Sequence, residues 1–247
     1  MGPRQLTTRH LDWEGCWNAR ELGDLPGPEG PLRRGRVIRA SNLSTLTPAG
    51  WAALRACGAR TLIDLRTDWE RAREPYAAPP DIAVVPVALE EGLKEDPEFK
   101  GWMHTGRLGT PLYYRRFLER WPDRAAAAVA AIARAEGAAV VHCSKGCDRT
   151  GLITGLLLTL LGVDPGVIAD DYTLSAERLR APEARRLGVR DDNDAIDALL
   201  AKHDATPRSA MLDFLGGLDA AATLRAGGLS RADAQSLRAT LLQDITP

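Results

Sequence analysis

The chain has 247 residues, of which 45% are hydrophobic, and its formal net charge is −1. This length suits one α/β domain with helical additions, and the hydrophobic fraction is enough for a core. A charge so near zero argues against nucleic acid or an anionic membrane as a bulk electrostatic partner. Two local groups of arginines are interpreted as solvated faces: Arg33, Arg34, Arg36 and Arg39, and Arg115 with Arg116.

Cysteine usage and the N-terminal segment indicate the compartment. Four cysteines do not make a disulfide framework in a chain of this length, so a reducing environment is expected. Residues 1–11 contain no apolar run, which predicts no cleavable signal, and no apolar stretch reaches the ~20 residues of a membrane span. We therefore expect a soluble cytoplasmic protein without a membrane span, with secretion lacking a signal as an open alternative. We predict no metal site and no cofactor.

The first third of the chain alternates strand and helix signals. Proline and glycine predict a loop at 26–31, and a short strand is expected at 37–38. Thr47 and Pro48 predict a helix start, and Gly58 predicts its left-handed end. Buried strands are expected at 61–65 and 82–89, the second at an edge or bulge because it contains Pro86.

Residues 90–112 lose all periodicity, which predicts a lid or insertion without regular structure. Helices are expected at 113–121 and 124–135, followed by a strand from Ala138. A helical C-terminal part over 163–247 is predicted to contain helices at 165–180, 193–202, 207–218 and 231–242, the last capped by Ser230. This order predicts a single α/β domain over 1–247, with a mainly parallel central sheet flanked by helices and its active site at the carboxyl ends of the strands.

The segment from Val141 to Gly151 is the strongest functional signal. Cys143 precedes Arg149 by six positions, in a loop between an apolar β-branched run and a long leucine-rich run. Such a strand, loop and helix N-terminus forms an anion site, where a thiol is expected to have a lowered pKa. The arginine fork matches two oxygens of a phosphate. These features predict a cysteine-dependent phosphatase.

In this interpretation Cys143 attacks phosphorus and forms a cysteinyl-phosphate. Arg149 and the loop would hold the phosphate oxygens, so the predicted substrate-binding residues are Ser144, Lys145, Gly146, Cys147 and Thr150. Thr150 either gives its hydroxyl to the sulfur or bonds the helix backbone.

Residues next to the loop are expected to support it. His142 is predicted to orient the loop rather than to act as an acid or base. Asp64 and Arg66 either support the loop from the neighbouring strand or form a structural ion pair. Cys147 either forms a reversible disulfide with Cys143 or is an inert thiol at the rim.

Five motifs together resemble the atypical bacterial tyrosine phosphatases. The pattern His-Cys-x-x-Gly-x-Asp-Arg-Thr-Gly at 142–151 is similar to that family's signature. Further similarity lies at 18–23 (Asn-Ala-Arg-Glu-Leu-Gly), 36–41 (Arg-Val-Ile-Arg-Ala-Ser), 63–70 (Ile-Asp-Leu-Arg through Glu) and 162–175. The resemblance covers about residues 18–242. It implies a tyrosine phosphatase-like fold and a phosphorylated protein or peptide as substrate, most of all phosphotyrosine.

The chain departs from that family at two positions. Cys147 stands where the family has lysine, and a lysine occurs instead at Lys145; Glu21 replaces an aspartate. Loop lysines in that family are linked to phosphoinositide activity, so the departure puts lipid substrates in question. Dual-specificity or phosphoinositide phosphatase activity is therefore an alternative. More distant alternatives are a rhodanese-type sulfurtransferase and a non-catalytic phosphopeptide-binding module.

The leaving oxygen needs a proton donor. Asp123, in Trp121-Pro122-Asp123, lies only 20 positions before Cys143, and a helix and a strand occupy that interval. We interpret Asp123 as a helix cap. The resemblance implies Asp148 as the general acid, with a salt bridge that shapes the loop as the alternative, and Asp96 and Glu98 remain candidates.

Overall fold

The computed structural model describes residues 9–243. The central sheet has five strands: β1 Arg20–Glu21, β4 Val37–Ala40, β5 Ala59–Asp64, β6 Ala83–Pro86 and β7 Ala138–His142. A separate hairpin is formed by β2 Pro26–Gly27 and β3 Gly30–Pro31. The order in the central sheet is β1-β4-β7-β5-β6, in which β1 is antiparallel to β4 and all other neighbours are parallel. The predicted mainly parallel sheet is confirmed. The segment 1–11, predicted to carry no signal, lies mostly outside the described residues.

The central strand β7 places the loop. Its five residues are buried, since β4 and β5 pair with it on both edges. His142 pairs in register with Asp64 of β5, so both strands end side by side and Cys143 follows at the middle of the carboxyl edge. Pro86 closes β6 at the edge of the sheet, as predicted, where a missing N–H costs no ladder bond. The burial predicted for this strand is wrong, because three of its four residues are exposed at that edge.

Twelve α-helices surround the sheet within residues 9–243. They are α1 Pro48–Ala56, α2 Asp68–Arg73, α3 Pro97–His104, α4 Tyr114–Arg120, α5 Pro122–Ala133, α6 Asp148–Leu160, α7 Pro165–Arg180, α8 Pro182–Arg186, α9 Asn193–Ala201, α10 Pro207–Leu215, α11 Ala220–Ala226 and α12 Arg231–Leu241. The predicted helical C-terminal part is confirmed, although α8 and α11 within it were not expected. Helices α2 and α3, earlier in the chain, were not expected either. None of these helices has the length and apolar character needed to cross a membrane.

Helix α6, which begins in the phosphate loop, is buried around almost its whole circumference. It packs against the sheet and against α7 and α11, so its leucines belong to the main core. Gly151 permits this approach, because a Cβ atom there would lie 2.7 Å from the ring of Tyr172. The loop is thus fixed at the start of a rigid element.

Residues 90–112 are more regular than expected. They contain a 3₁₀ turn at Leu93–Glu95 and helix α3, and a second 3₁₀ turn begins at Pro111. The Asp96 side chain caps α3 by accepting hydrogen bonds from two backbone N–H groups, and Phe99 and Trp102 are buried. The prediction of irregular structure is wrong, because this cap and these two apolar contacts stabilise a short helix.

The predicted helix ends are mostly correct. Thr47 and Ser230 accept hydrogen bonds at the starts of α1 and α12, and Gly58 adopts a left-handed φ of 79° after α1. The cap assigned to Asp123 is wrong, since α5 begins at Pro122 and Asp123 lies exposed in its first turn. A carboxylate there still faces the positive end of the helix dipole.

Candidate active site

The nucleophile candidate Cys143 is almost completely buried, with 2% of its surface exposed. The Thr150 hydroxyl donates a hydrogen bond to its sulfur at 3.2 Å. Of the two interpretations of Thr150, the structure shows the sulfur contact. A hydroxyl donor at this position stabilises negative charge on sulfur.

The loop is held from outside through its carbonyl groups. Asn18 donates to the carbonyls of Lys145 (3.1 Å) and Gly146 (3.3 Å), and Arg39 donates to that of Gly146 at 2.9 Å. Gly146 has a φ of 67°, and a Cβ atom there would lie 2.4 Å from the Ala40 carbonyl oxygen. Only glycine fits this close turn. With its carbonyls engaged outside, the loop keeps the form of an anion-binding nest.

A buried charge cluster supports this arrangement. Asp171 of α7 forms ion pairs with Arg9 (2.5 Å), Arg20 (3.1 Å) and Arg39 (2.8 Å), and all four side chains are at most 2% exposed. Burial opposes ionisation of Asp171, but the three arginines hold its pKa far below the ordinary value. The interpretation of Arg39 as solvated is wrong, because it bridges Asp171 and the phosphate loop.

Glu70 holds the side chain of Arg149. Its carboxylate accepts hydrogen bonds from both terminal nitrogens, at 2.6 and 2.7 Å, and from the Ser144 hydroxyl at 2.6 Å. Burial would raise the pKa of Glu70, but the bonds from Arg149 and Ser144 outweigh it and hold that pKa well below the ordinary value. Glu70 lies in the first turn of α2, whose N-cap Thr67 forms a capping box with it. Its carboxylate therefore has a fixed orientation.

Asp148 lies at the first position of α6 and faces the cavity. One carboxylate oxygen accepts hydrogen bonds from the Tyr113 hydroxyl (2.9 Å) and the Gly109 backbone (3.1 Å). Its other oxygen is buried and has no hydrogen-bond partner among the described residues. Burial, with a further contribution from the Glu90 charge, raises the pKa of Asp148 to about 7. A carboxyl group that keeps its proton near neutral pH can act as a general acid.

Glu90 is the acid that residues 90–112 bring to the site. Its carboxylate lies 3.6 Å from Arg149 and lines the same cavity as Cys143. Burial and the neighbouring Glu70 raise its pKa. Asp96 and Glu98, the acids named from the sequence, instead form ion pairs with Arg120 and do not line the cavity.

Asp64, Arg66 and His142, which were predicted to support the loop, contact residues beside it. Asp64 and Arg66 form a buried ion pair at 2.8 Å, and Arg66 also donates to Asn42, whose backbone N–H binds the Ser144 carbonyl. His142 lies 3.0 Å from the Tyr76 hydroxyl, and burial lowers the pKa of His142 to about 4. A neutral, fully buried imidazole has no role in proton transfer to the cavity.

Cys147 is half-buried at the margin of the cavity. Its thiol donates to the Lys145 carbonyl at 3.4 Å, accepts a hydrogen bond from Asn18 at 3.7 Å and packs beside Leu179. Burial, with a contribution from Cys143, raises the pKa of Cys147 to about 12. The disulfide with Cys143 stays a hypothesis, but the thiol has an environment that favours an inert role.

These groups open into one cavity of about 320 Å³. The phosphate loop forms one end, with Cys143, Ser144, Lys145, Cys147, Asp148 and Arg149 in the lining. Apolar side chains from three parts of the chain form the walls: Leu108, Tyr172, Ala176, Leu179 and Ile196. A site with an anion nest at one end and apolar walls suits an aryl phosphate.

A family model described as "Tyrosine phosphatase family" matches residues 11–243. The chain belongs to this family. The triple specificity protein phosphatase PtpB of Mycobacterium tuberculosis is 28% identical over 92% of this chain and 97% of its own length. A tyrosine-protein phosphatase of Nostoc commune is 31% identical over 58% of this chain and 49% of its own. The resemblance inferred from the loop motif is thereby confirmed.

Sequence reasoning assigned no role to three residues at the site. Glu90 and Asp192 line the cavity, and Tyr113 binds Asp148, which lies 35 residues further along the chain. Asp192 lies 47 residues from its partner Lys145. Glu70 was noticed only as part of a motif, without a role. The capping box that Thr67 forms with Glu70 could have been recognised from the sequence, but the contact between Glu70 and Arg149 could not.

Proposed function

We propose that this protein hydrolyses phosphate monoesters, with phosphotyrosine in proteins or peptides as the main substrate, through a cysteinyl-phosphate intermediate. The observation that carries the proposal is the convergence of Cys143, Arg149 and Asp148 on one cavity, with the Thr150 hydroxyl on the sulfur. The apolar walls support an aromatic leaving group.

In the first step the Cys143 thiolate attacks phosphorus in line. The sulfur–phosphorus bond forms as the bond to the phenolic oxygen breaks, and Asp148 gives its proton to that oxygen. Arg149 meets the charge on the equatorial oxygens. Its guanidinium has five N–H donors, of which two bind Glu70 and one binds the Ser144 hydroxyl, so donors remain for phosphate.

In the second step water attacks the cysteinyl-phosphate. The Asp148 carboxylate takes a proton from that water, the sulfur–phosphorus bond breaks, and inorganic phosphate forms. The departing thiolate accepts the hydrogen bond from Thr150. The same carboxyl group therefore serves as acid and then as base, which a pKa of about 7 allows at neutral pH.

Hydrolysis of para-nitrophenyl phosphate without added metal tests the reaction. We expect turnover by the wild type and none by Cys143→Ser, whose hydroxyl is a much weaker nucleophile. Acid quenching of the wild type should trap phosphate on Cys143. Activity of the serine variant, or thiosulfate turnover without ester hydrolysis, would refute the mechanism.

A substrate panel tests the proposed substrate class, and the state of the cysteines bears on the compartment. Peptide panels carrying phosphotyrosine, phosphoserine or phosphothreonine, and phosphoinositide vesicles, would rank the substrates; we expect phosphotyrosine first. The four cysteines are free thiols, which supports work in the reducing cytoplasm of a bacterium.

A further inference from the structure

The cavity lining contains more acidic than basic groups. Among the described residues its charged side chains are four carboxyls and two cations: Glu70, Glu90, Asp148 and Asp192, with Lys145 and Arg149. Both cations are already paired, since Glu70 binds Arg149 and Asp192 binds Lys145. A phosphate in the loop can still use Arg149 and the helix N-terminus, but a second anionic group finds no free cation here.

The pair of Lys145 and Asp192 joins the phosphate loop to the helical C-terminal part. Lys145 lies two residues after Cys143, and Asp192 directly precedes α9. Their charged atoms lie 2.5 Å apart, with 32% and 27% of the side chains exposed. A pair that is partly withdrawn from water is screened less by salt than a fully exposed one.

The second carboxylate oxygen of Asp192 indicates which kind of substrate group fits beside it. This oxygen is buried and has no hydrogen-bond partner among the described residues. An acceptor of this kind is satisfied by a donor, such as a peptide N–H, and repels another anion. The adjoining walls, Leu179 and Ile196, favour an uncharged neighbour in the same way.

We propose that Asp192 masks Lys145, so that the cavity selects substrates whose only anionic group near the site is the reacting phosphate. Substrates with a carboxylate or a second phosphate beside that group are disfavoured. This inference rests on the proposed phosphatase function and names its substrate class. Asp192 is a specificity residue that acts through Lys145, not a catalytic residue.

Two phosphotyrosine peptides test the proposal, identical except for alanine or aspartate on both sides of the phosphotyrosine. The wild type should prefer the alanine peptide in kcat/KM. Asp192→Asn frees Lys145, so the preference should fall by about five- to tenfold, through KM rather than kcat, because the gained contact is uniform binding. The double variant Lys145→Met with Asp192→Asn restores the net charge of the wild type and should restore the preference.

A matched control and a second readout keep the result interpretable. Asp194→Asn removes the same charge two residues further on, in the first turn of α9, but this side chain is fully exposed and outside the cavity. Its peptide preference should equal that of the wild type. Binding of both peptides to Cys143→Ser forms, measured by calorimetry, tests selection without turnover. The proposal would be overturned if Asp192→Asn kept the wild-type peptide preference. It would also be overturned if the double variant with Lys145→Met kept the improved activity on the aspartate peptide. If the protein binds the alanine peptide selectively but hydrolyses neither peptide, the proposed phosphatase function is rejected and the role of Asp192 in selection stands.

Discussion

The carboxylate of Glu70 accepts hydrogen bonds from both terminal nitrogens of Arg149 and from the hydroxyl of Ser144, the residue that follows Cys143 in the phosphate loop. One side chain of α2 thus sets the position of the phosphate-binding arginine and of the loop at the same time. Because Arg149 is about 10% exposed, the pair is nearly buried. A buried cation that loses its partner is costly, so the two residues are expected to act as a unit.

Glu70→Gln should lower kcat/KM for para-nitrophenyl phosphate on the order of 10²-fold, because a displaced guanidinium no longer meets the transferring phosphate. The loss should appear mostly in kcat. Asp68→Asn is the control, since this neighbour in α2 is 72% exposed and forms its ion pair with Arg71 rather than with Arg149. Equal losses in both variants would mean that damage to α2, not the contact with Arg149, is responsible.

Asp148→Asn should reduce kcat by about 10²- to 10⁴-fold for a poor leaving group such as phenyl phosphate, and less for para-nitrophenyl phosphate. The acid must be protonated to work, so wild-type kcat/KM should fall above about pH 7, where Asp148 loses its proton. The variant should lack this decline. Asp123→Asn should behave as the wild type, because Asp123 is exposed and outside the cavity.

Substitutions of Glu90 and Tyr113 should move the alkaline decline of kcat/KM in opposite directions. The Glu90 charge raises the pKa of Asp148, and the hydrogen bond from Tyr113 lowers it. Glu90→Gln should therefore shift the alkaline decline of kcat/KM to lower pH, and Tyr113→Phe should shift it to higher pH. Rate profiles from pH 5 to 9 measure both. Shifts of the same sign would show that Asp148 is not the group that titrates.

The part of the site that is contiguous in sequence was predictable, and the part assembled across the fold was not. Cys143 and Arg149 lie in one loop between two apolar runs, and their spacing together with these flanking runs indicates an anion site. The placement of Asp64 beside His142 followed from parallel strands ending at one edge. These inferences need only local pattern and sheet topology.

Glu90 and Asp171 show why the rest could not be read from the chain. Nothing in the residues around Glu90 indicates that the backbone turns it toward Arg149, because that depends on how α3 packs through Phe99 and Trp102. Asp171 lies in an ordinary helical pattern, and its three arginine partners are 132 and more residues away. By contrast, the Asp96 cap of α3 was a local signal that could have been recognised.

Asp171→Asn should destabilise the protein by about 3–5 kcal/mol, because it leaves three buried arginines without a counter-charge. The pKa of Asp171 is depressed in the folded state, so its stabilising contribution exists above the unfolded-state value of about 4 and is lost as pH falls below it. Urea unfolding at pH 7 and pH 3 measures both effects. Asp170→Asn is the control, since its pair with Arg208 is exposed and should contribute at most about 1 kcal/mol.

Cys147→Ser should leave the recovery of activity after peroxide treatment unchanged. Peroxide converts the Cys143 thiolate to a sulfenic acid, and a neighbouring thiolate would be needed to displace water from it and form a disulfide. The Cys147 thiol has a pKa of about 12 and is hydrogen-bonded to Lys145 and Asn18, so it stays protonated at neutral pH. Activity after peroxide and then dithiothreitol compares the two proteins. Markedly poorer recovery in the variant would show that the loop rearranges and that Cys147 protects the nucleophile.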